Sequence, residues 1–344
     1  MSTSDVTKQG IRGERQGRAA LVGEGLRRRR RGRGRRGEQA MVPDAEFTSY
    51  YGKPVLNPPT WEARDIAGYF FLGGLAGAGS VLAAGAEFTG RPAAARALKV
   101  SSLLAISGST AALIHDLGRP SRFYNMLRVM RPTSPMSMGS WLLAAYGPAA
   151  GAAAVLDVTG LFPRLGRIAA GSAAVLGPGV ATYTAVLATN TAVPAWHDGF
   201  REMPFVFAGS ASMAAAGLAL AAAPRAEAGP ARTVALLAAA LENAAVLRME
   251  RRLGMVAEPY KTGRGGRLMR AAKILSVAGA VGGAALGGRS RTAAVAAGTA
   301  LLAASACTRF GVFYAGMQSA SDPKYTVVPQ RERRDAREGV TRLA

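Results

Sequence analysis

The run Ile66-Ala67-Gly68-Tyr69-Phe70-Phe71-Leu72-Gly73-Gly74-Leu75-Ala76-Gly77-Ala78-Gly79-Ser80-Val81-Leu82-Ala83-Ala84-Gly85-Ala86 contains no Asp, Glu, Lys or Arg. A helix needs about 20 mainly apolar residues to cross the hydrocarbon core of a bilayer. A helix on the surface of a soluble protein would instead keep a polar face. Outward from this run, seven further stretches read the same way: roughly 97–114, 136–156, 168–187, 205–223, 233–247, 271–286 and 293–313. The sixth is short and contains Glu242, and the seventh requires Lys273 to snorkel from its first turn. The expectation is an all-α integral membrane protein with about eight transmembrane helices.

Composition agrees with this reading. The chain has 344 residues, 49% apolar and only 19% charged, with 43 Lys plus Arg against 21 Asp plus Glu. Soluble domains carry about a quarter charged residues. Residues 1–40 hold 12 basic and 4 acidic side chains, too polar to bury a core. The chain therefore divides into a disordered Arg-rich tail (1–45), a transmembrane domain (46–321) and a C-terminal tail (322–344). The arginines at 27–36 are followed by polar sequence rather than an apolar stretch, so they do not form an export signal. Without a base-reading module they do not imply nucleic-acid binding either. The single cysteine, Cys307, excludes an intramolecular disulfide and an iron-sulfur cluster held by this chain alone.

An even number of spans puts both termini on one side. The tails and the loops after spans two, four and six carry 34 Lys plus Arg, against 9 in the other four loops. The positive-inside rule then assigns both termini to the cytoplasm. The Gly, Ala and Ser content of the spans reads as close helix packing. Gly73–Gly79 is not a nucleotide loop, because no strand precedes it.

Polar residues near the membrane cluster on the side of the termini. His115-Asp116-Leu117-Gly118-Arg119 closes span two, and Trp196-His197-Asp198 follows span four. A His beside an Asp can relay protons near neutral pH, with Arg119 holding the carboxylate charged; a salt bridge among His115, Asp116 and Arg119 that merely caps the loop is the structural alternative. Tyr69 and Tyr183 point to the same side. A phenol in lipid needs a hydrogen-bond partner, which is either a quinone carbonyl or the carbonyl of another helix.

The run from His115 through Arg119-Pro120-Ser121-Arg122-Phe123 to Arg131-Pro132-Thr133-Ser134-Pro135-Met136-Ser137-Met138-Gly139-Ser140-Trp141 resembles the signature loop of the NrfD/PsrC membrane subunits. That family is best known from polysulfide reductase and nitrite-reducing complexes. Tyr69 to Gly77, Asn190 to His197, Met249 to Gly254 and Glu258-Pro259-Tyr260 support the likeness, which extends from about Glu46 to Gln330. Asp322 to Gln330 resembles the ending of actinobacterial members.

The resemblance implies two four-helix bundles forming an anchor without a redox metal, haem or iron-sulfur cluster of its own. Such an anchor exchanges electrons between menaquinone or another quinone and a four-cluster iron-sulfur subunit, which serves a molybdopterin catalytic subunit. By motif position, Tyr69, Asp116 and Tyr183 would meet the quinone, with His115, Arg119, Trp196 and His197 around them. Glu242 and Asn243 would be steps on a proton path. A secondary transporter would be expected to show internal repeats and paired broken helices, and neither is visible. A b-type cytochrome needs paired axial histidines within spans, whereas His115 and His197 lie at helix ends or in loops.

Overall fold

The computed structural model describes residues 55–57 and 59–343, with side chains as far as 334, and two short pairs near the N-terminus. There, Val6–Thr7 and Gly10–Ile11 pair antiparallel. The rest of the tail expected to be disordered lies outside the described residues.

Eight helices are long and apolar enough to cross a membrane. They are α1 (Ala63–Phe88), α2 (Pro92–Asp116), α3 (Pro135–Thr159), α4 (Pro163–Thr189), α5 (Met203–Ala222), α6 (Gly229–Leu253), α7 (Gly263–Leu286) and α8 (Arg291–Ser321). A ninth helix, α9 (Lys324–Leu343), follows as the C-terminal segment. Every expected span is present, and the expected short sixth one is a full-length helix. Prolines stand in the first turn of α2, α3, α4, α5 and α6, where the missing N–H costs nothing. The Ser134 and Ser290 side chains cap α3 and α8. One expectation needs correcting: Lys99, Lys273 and Arg309, counted with the loop cations, lie inside α2, α7 and α8, and Arg309 is fully buried. Without these three the bias is 32 against 8 and keeps its sign.

Helices α1–α4 form one bundle and α5–α8 a second, joined where α1 meets α5 and α8 and where α4 meets α5. Lipid supplies no hydrophobic drive between helices, so close backbone approach has to hold them. A Cβ on Gly77 of α1 would run into the carbonyl of Gly177 on α4, and one on Gly217 of α5 into that of Gly298 on α8. Side-chain hydrogen bonds add to this: the Tyr146 hydroxyl donates to Ala76 O at 2.6 Å and lies 2.7 Å from Ser80 Oγ. Such bonds are worth about 0.6–1.7 kcal/mol each in a membrane protein.

The loops fall on two faces. On one, the segments after α2, α4 and α6 lie with the N-terminus of α1 and with α9: the Tyr260 hydroxyl donates to Ala195 O at 2.9 Å, Lys324 pairs with Glu258 at 2.9 Å, and Arg333 with Asp198 at 3.3 Å. On the other, Lys99 is buried between Glu87 (2.8 Å) and Asp157 (2.9 Å), and the Ala94 N–H donates to Glu227. The polar motifs converge on the first face because each follows an even-numbered span, and an even total brings α9 to the same face.

Candidate functional site at the loop face of the first bundle

Tyr69 lies one turn inside α1, four residues after Asp65, so the two share a helix face. Its side chain is 1% exposed, and its hydroxyl has no hydrogen-bond partner among the described residues. The ring meets Tyr183 of α4 edge to face, with centroids 6.3 Å apart. Tyr183 gains its room from Gly139 on α3, where any Cβ would collide with the Tyr183 ring. Within the signature loop, Gly139 therefore shapes the space beside the two tyrosines. Behind them, Ser109 Oγ of α2 donates to Tyr69 O at 3.2 Å, and Thr184 presents a second buried hydroxyl without a partner among the described residues.

At the membrane surface the structure shows neither an Arg119–Asp116 ion pair nor the alternative, a capping salt bridge among His115, Asp116 and Arg119. His115 Nδ1 lies 2.7 Å from the Asp65 carboxylate of α1, with the imidazole 77% exposed. Asp116 is half-buried and lies beside the Glu62 backbone at the start of α1. Arg119 is exposed and has no ion-pair partner among the described residues. The reason is geometric. As the last two residues of α2, His115 and Asp116 point about 100° apart, and the N-terminus of α1 lies closer to them than the loop beyond Leu117. Asp65 and Glu62 were not singled out by sequence reasoning, although the i, i+4 spacing of Asp65 and Tyr69 was available as a signal.

The second motif sits at another corner of the same face. Trp196 is fully buried, donates its indole N–H to Val312 O at 2.8 Å, and stacks on Trp61 at 5.6 Å. It fits because Gly316 of α8 has no side chain. Its only donor is thus used within the protein, and it anchors the loop to α8 and to the segment entering α1. His197 is exposed, with Nδ1 3.2 Å from Thr189 O. Arg252 of α6 grips Glu202 with contacts of 2.6 to 3.1 Å and holds this loop down. The guanidinium keeps the Glu202 carboxyl below its ordinary value. The Arg251-Arg252 motif thereby acquires a positioning role.

The other residues singled out in sequence, Glu242 and Asn243, lie in the second bundle. Glu242 is buried and accepts from Thr308 Oγ1, beside Arg309, whose guanidinium covers the Phe207 ring at 3.8 Å and donates to Phe207 O. Asn243 donates to Ser276 Oγ at 3.1 Å. Tyr69 and Tyr183 are therefore brought together, with His115 and Asp116 at the same end of α1 and α2; Trp196 and His197 form a separate docked loop, and Glu242 belongs to the other bundle.

Comparison with known proteins agrees with this arrangement. No curated protein matches the chain. A family model described as polysulphide reductase, NrfD, matches residues 57–257, from the segment before α1 to the turn after α6. That match covers the whole first bundle, the Tyr69–Tyr183 pair, both His-Asp motifs and the Arg252 clamp, so this multi-pass membrane protein belongs to the polysulphide reductase NrfD family.

Proposed function

We propose that the chain is the quinone-reacting anchor of an oxidoreductase complex, passing electrons between a membrane quinone and an iron-sulfur partner that serves a molybdopterin subunit. The observation that carries this reading is the buried, unpartnered Tyr69 hydroxyl beside Tyr183. An unsatisfied buried donor costs about 1–3 kcal/mol, and a quinone carbonyl arriving between α1 and α4 would satisfy it. Cavities of about 300, 210 and 260 Å3 lie away from the two tyrosines, and a quinone ring would enter beside Tyr69 by displacing the partly exposed Tyr183 side chain from its place over Gly139.

Oxidising a quinol releases two protons with two electrons. Asp65 lies one turn from Tyr69 toward the loop face and is paired with the exposed His115, and Asp116 stands beside them. These groups offer a short route to water. For the partner, the segment after α2 presents Arg119, Arg122, Arg128 and Arg131, all exposed, next to exposed Tyr124 and Met130. No Asp or Glu occurs between Asp116 and Asp157. Such a face suits a protein with an acidic surface.

A photoreactive quinone analogue tests this reading in the complex purified from its own membrane. Labelled peptides should map to α1 and α4 around Tyr69 and Tyr183, and iron-sulfur and molybdopterin subunits should co-purify. Labelling confined to α5–α8 would overturn the placement, and purification without redox partners would overturn the anchor role.

A further inference from the structure

Two cavities lie end to end along the groove between α6 and α7. The first, of about 300 Å3, opens near the loop face and is lined by Val246, Leu247, Met269, Arg270 and Lys273. The second, of about 260 Å3, is walled by Leu236, Ala239, Ala240, Val277, Ala280 and Val281. They share Asn243 and Lys273, so one groove passes from a charged mouth into an apolar slot.

The charges at the mouth do not cancel. Of the two carboxylates there, Glu250 pairs with Lys261 at 3.6 Å, and Glu242, at the inner end, is held by Thr308. The charged side chains of Arg270 and Lys273 have no ion pair or hydrogen bond among the described residues. They are three residues apart on α7 and so lie on one face. From Arg270 to Val281 the groove runs about 16 Å at 1.5 Å per residue, on the order of half the ~30 Å hydrocarbon thickness. The small side chains of Ala239, Ala240 and Ala280 leave the slot open toward lipid.

A pair of unpaired cations above an apolar slot one leaflet deep matches one class of molecule. The geometry points to a binding site for an anionic phospholipid, its phosphate between Arg270 and Lys273 and one acyl chain lying between α6 and α7. The site is separate from the Tyr69–Tyr183 pair and stands whether or not that pair meets a quinone. The bound lipid fills the α6–α7 seam and ties the second bundle to the leaflet on the loop side.

Native mass spectrometry of the detergent-purified full chain tests the assignment, with phosphatidylglycerol, phosphatidylcholine and inorganic phosphate as probes. Phosphatidylglycerol is expected to be retained as one tight adduct that excess phosphate does not displace. Neutralising both cations, R270Q with K273Q, should weaken it about tenfold or more, as expected for two basic contacts to an anionic headgroup. Arg289→Gln, an exposed arginine just beyond the opposite end of α7, should leave it unchanged. Ala240→Trp should block the slot and remove the adduct with the cations intact. Equal retention of phosphatidylcholine, displacement by phosphate alone, or an unchanged adduct in the doubly neutralised protein would each overturn the proposal.

Discussion

Replacing Tyr69 with Phe removes one hydroxyl and nothing else, and the structure gives the two expected effects opposite signs. In the structure the hydroxyl is buried without a partner among the described residues. Its removal should return the desolvation penalty, about 1–3 kcal/mol, so the variant should melt at the same temperature as the parent or above it. On the proposed reading the same hydroxyl would donate to the carbonyl of a bound quinone, and its loss should cost about 1 kcal/mol of affinity, roughly fivefold. The packing against Tyr183 and Phe70 is kept, because the ring stays. The assay is a pair of thermal unfolding curves, for quinone-depleted and quinone-saturated protein, together with the quinone KM of the complex. The stabilisation conferred by quinone should shrink in the variant even as the depleted protein gains stability. A Tyr69→Phe protein that is less stable than the parent when depleted would refute the reasoning, because the hydroxyl would then have a partner within the protein.

Asp116→Asn keeps shape and hydrogen bonding but removes a proton acceptor, so quinone-linked turnover in the assembled complex should fall about 10²-fold; a wild-type rate would exclude Asp116 from the chemistry. Gly139→Ala should cost about 1–3 kcal/mol by forcing the Tyr183 ring aside, and adding Tyr183→Leu should recover most of that loss in a melting experiment. Glu202→Gln should loosen the loop after α4 by about 2 kcal/mol, the scale of hydrogen bonds to a charged group, seen as faster proteolysis between Asn190 and Glu202. Because Arg252 depresses the Glu202 carboxyl below its ordinary 4.5, the clamp's contribution is complete above that value and is lost as pH falls through the lower folded value; protease resistance should therefore hold at neutral pH and fail only in acid, and only in the parent. A reporter fused after Ala344 should be active in the cytoplasm; periplasmic activity would reverse the assigned orientation.

The number and approximate limits of the spans were legible in the sequence, because the cost of charge in hydrocarbon is a local property that any 20-residue window reveals. The placement of both His-Asp motifs on one face followed from their standing after the second and fourth spans. That Tyr69 and Tyr183 belong together was implied by family resemblance, but their edge-to-face contact was not readable: it depends on Gly139 of a third helix, and a missing side chain leaves no local signal of what fills its place. Likewise, His115 stands next to Asp116 in sequence, yet its partner is Asp65, fifty positions away, because successive residues of a helix diverge while separate helix ends converge at the membrane surface. That the indole N–H of Trp196 is taken up by a carbonyl of α8 was likewise not readable from its own loop. The groove carrying Arg270 and Lys273 also exists only once α6 and α7 are set side by side. Hydrophobicity is written residue by residue, whereas partnership between polar groups is decided by which helices pack together and how closely their small residues let them approach.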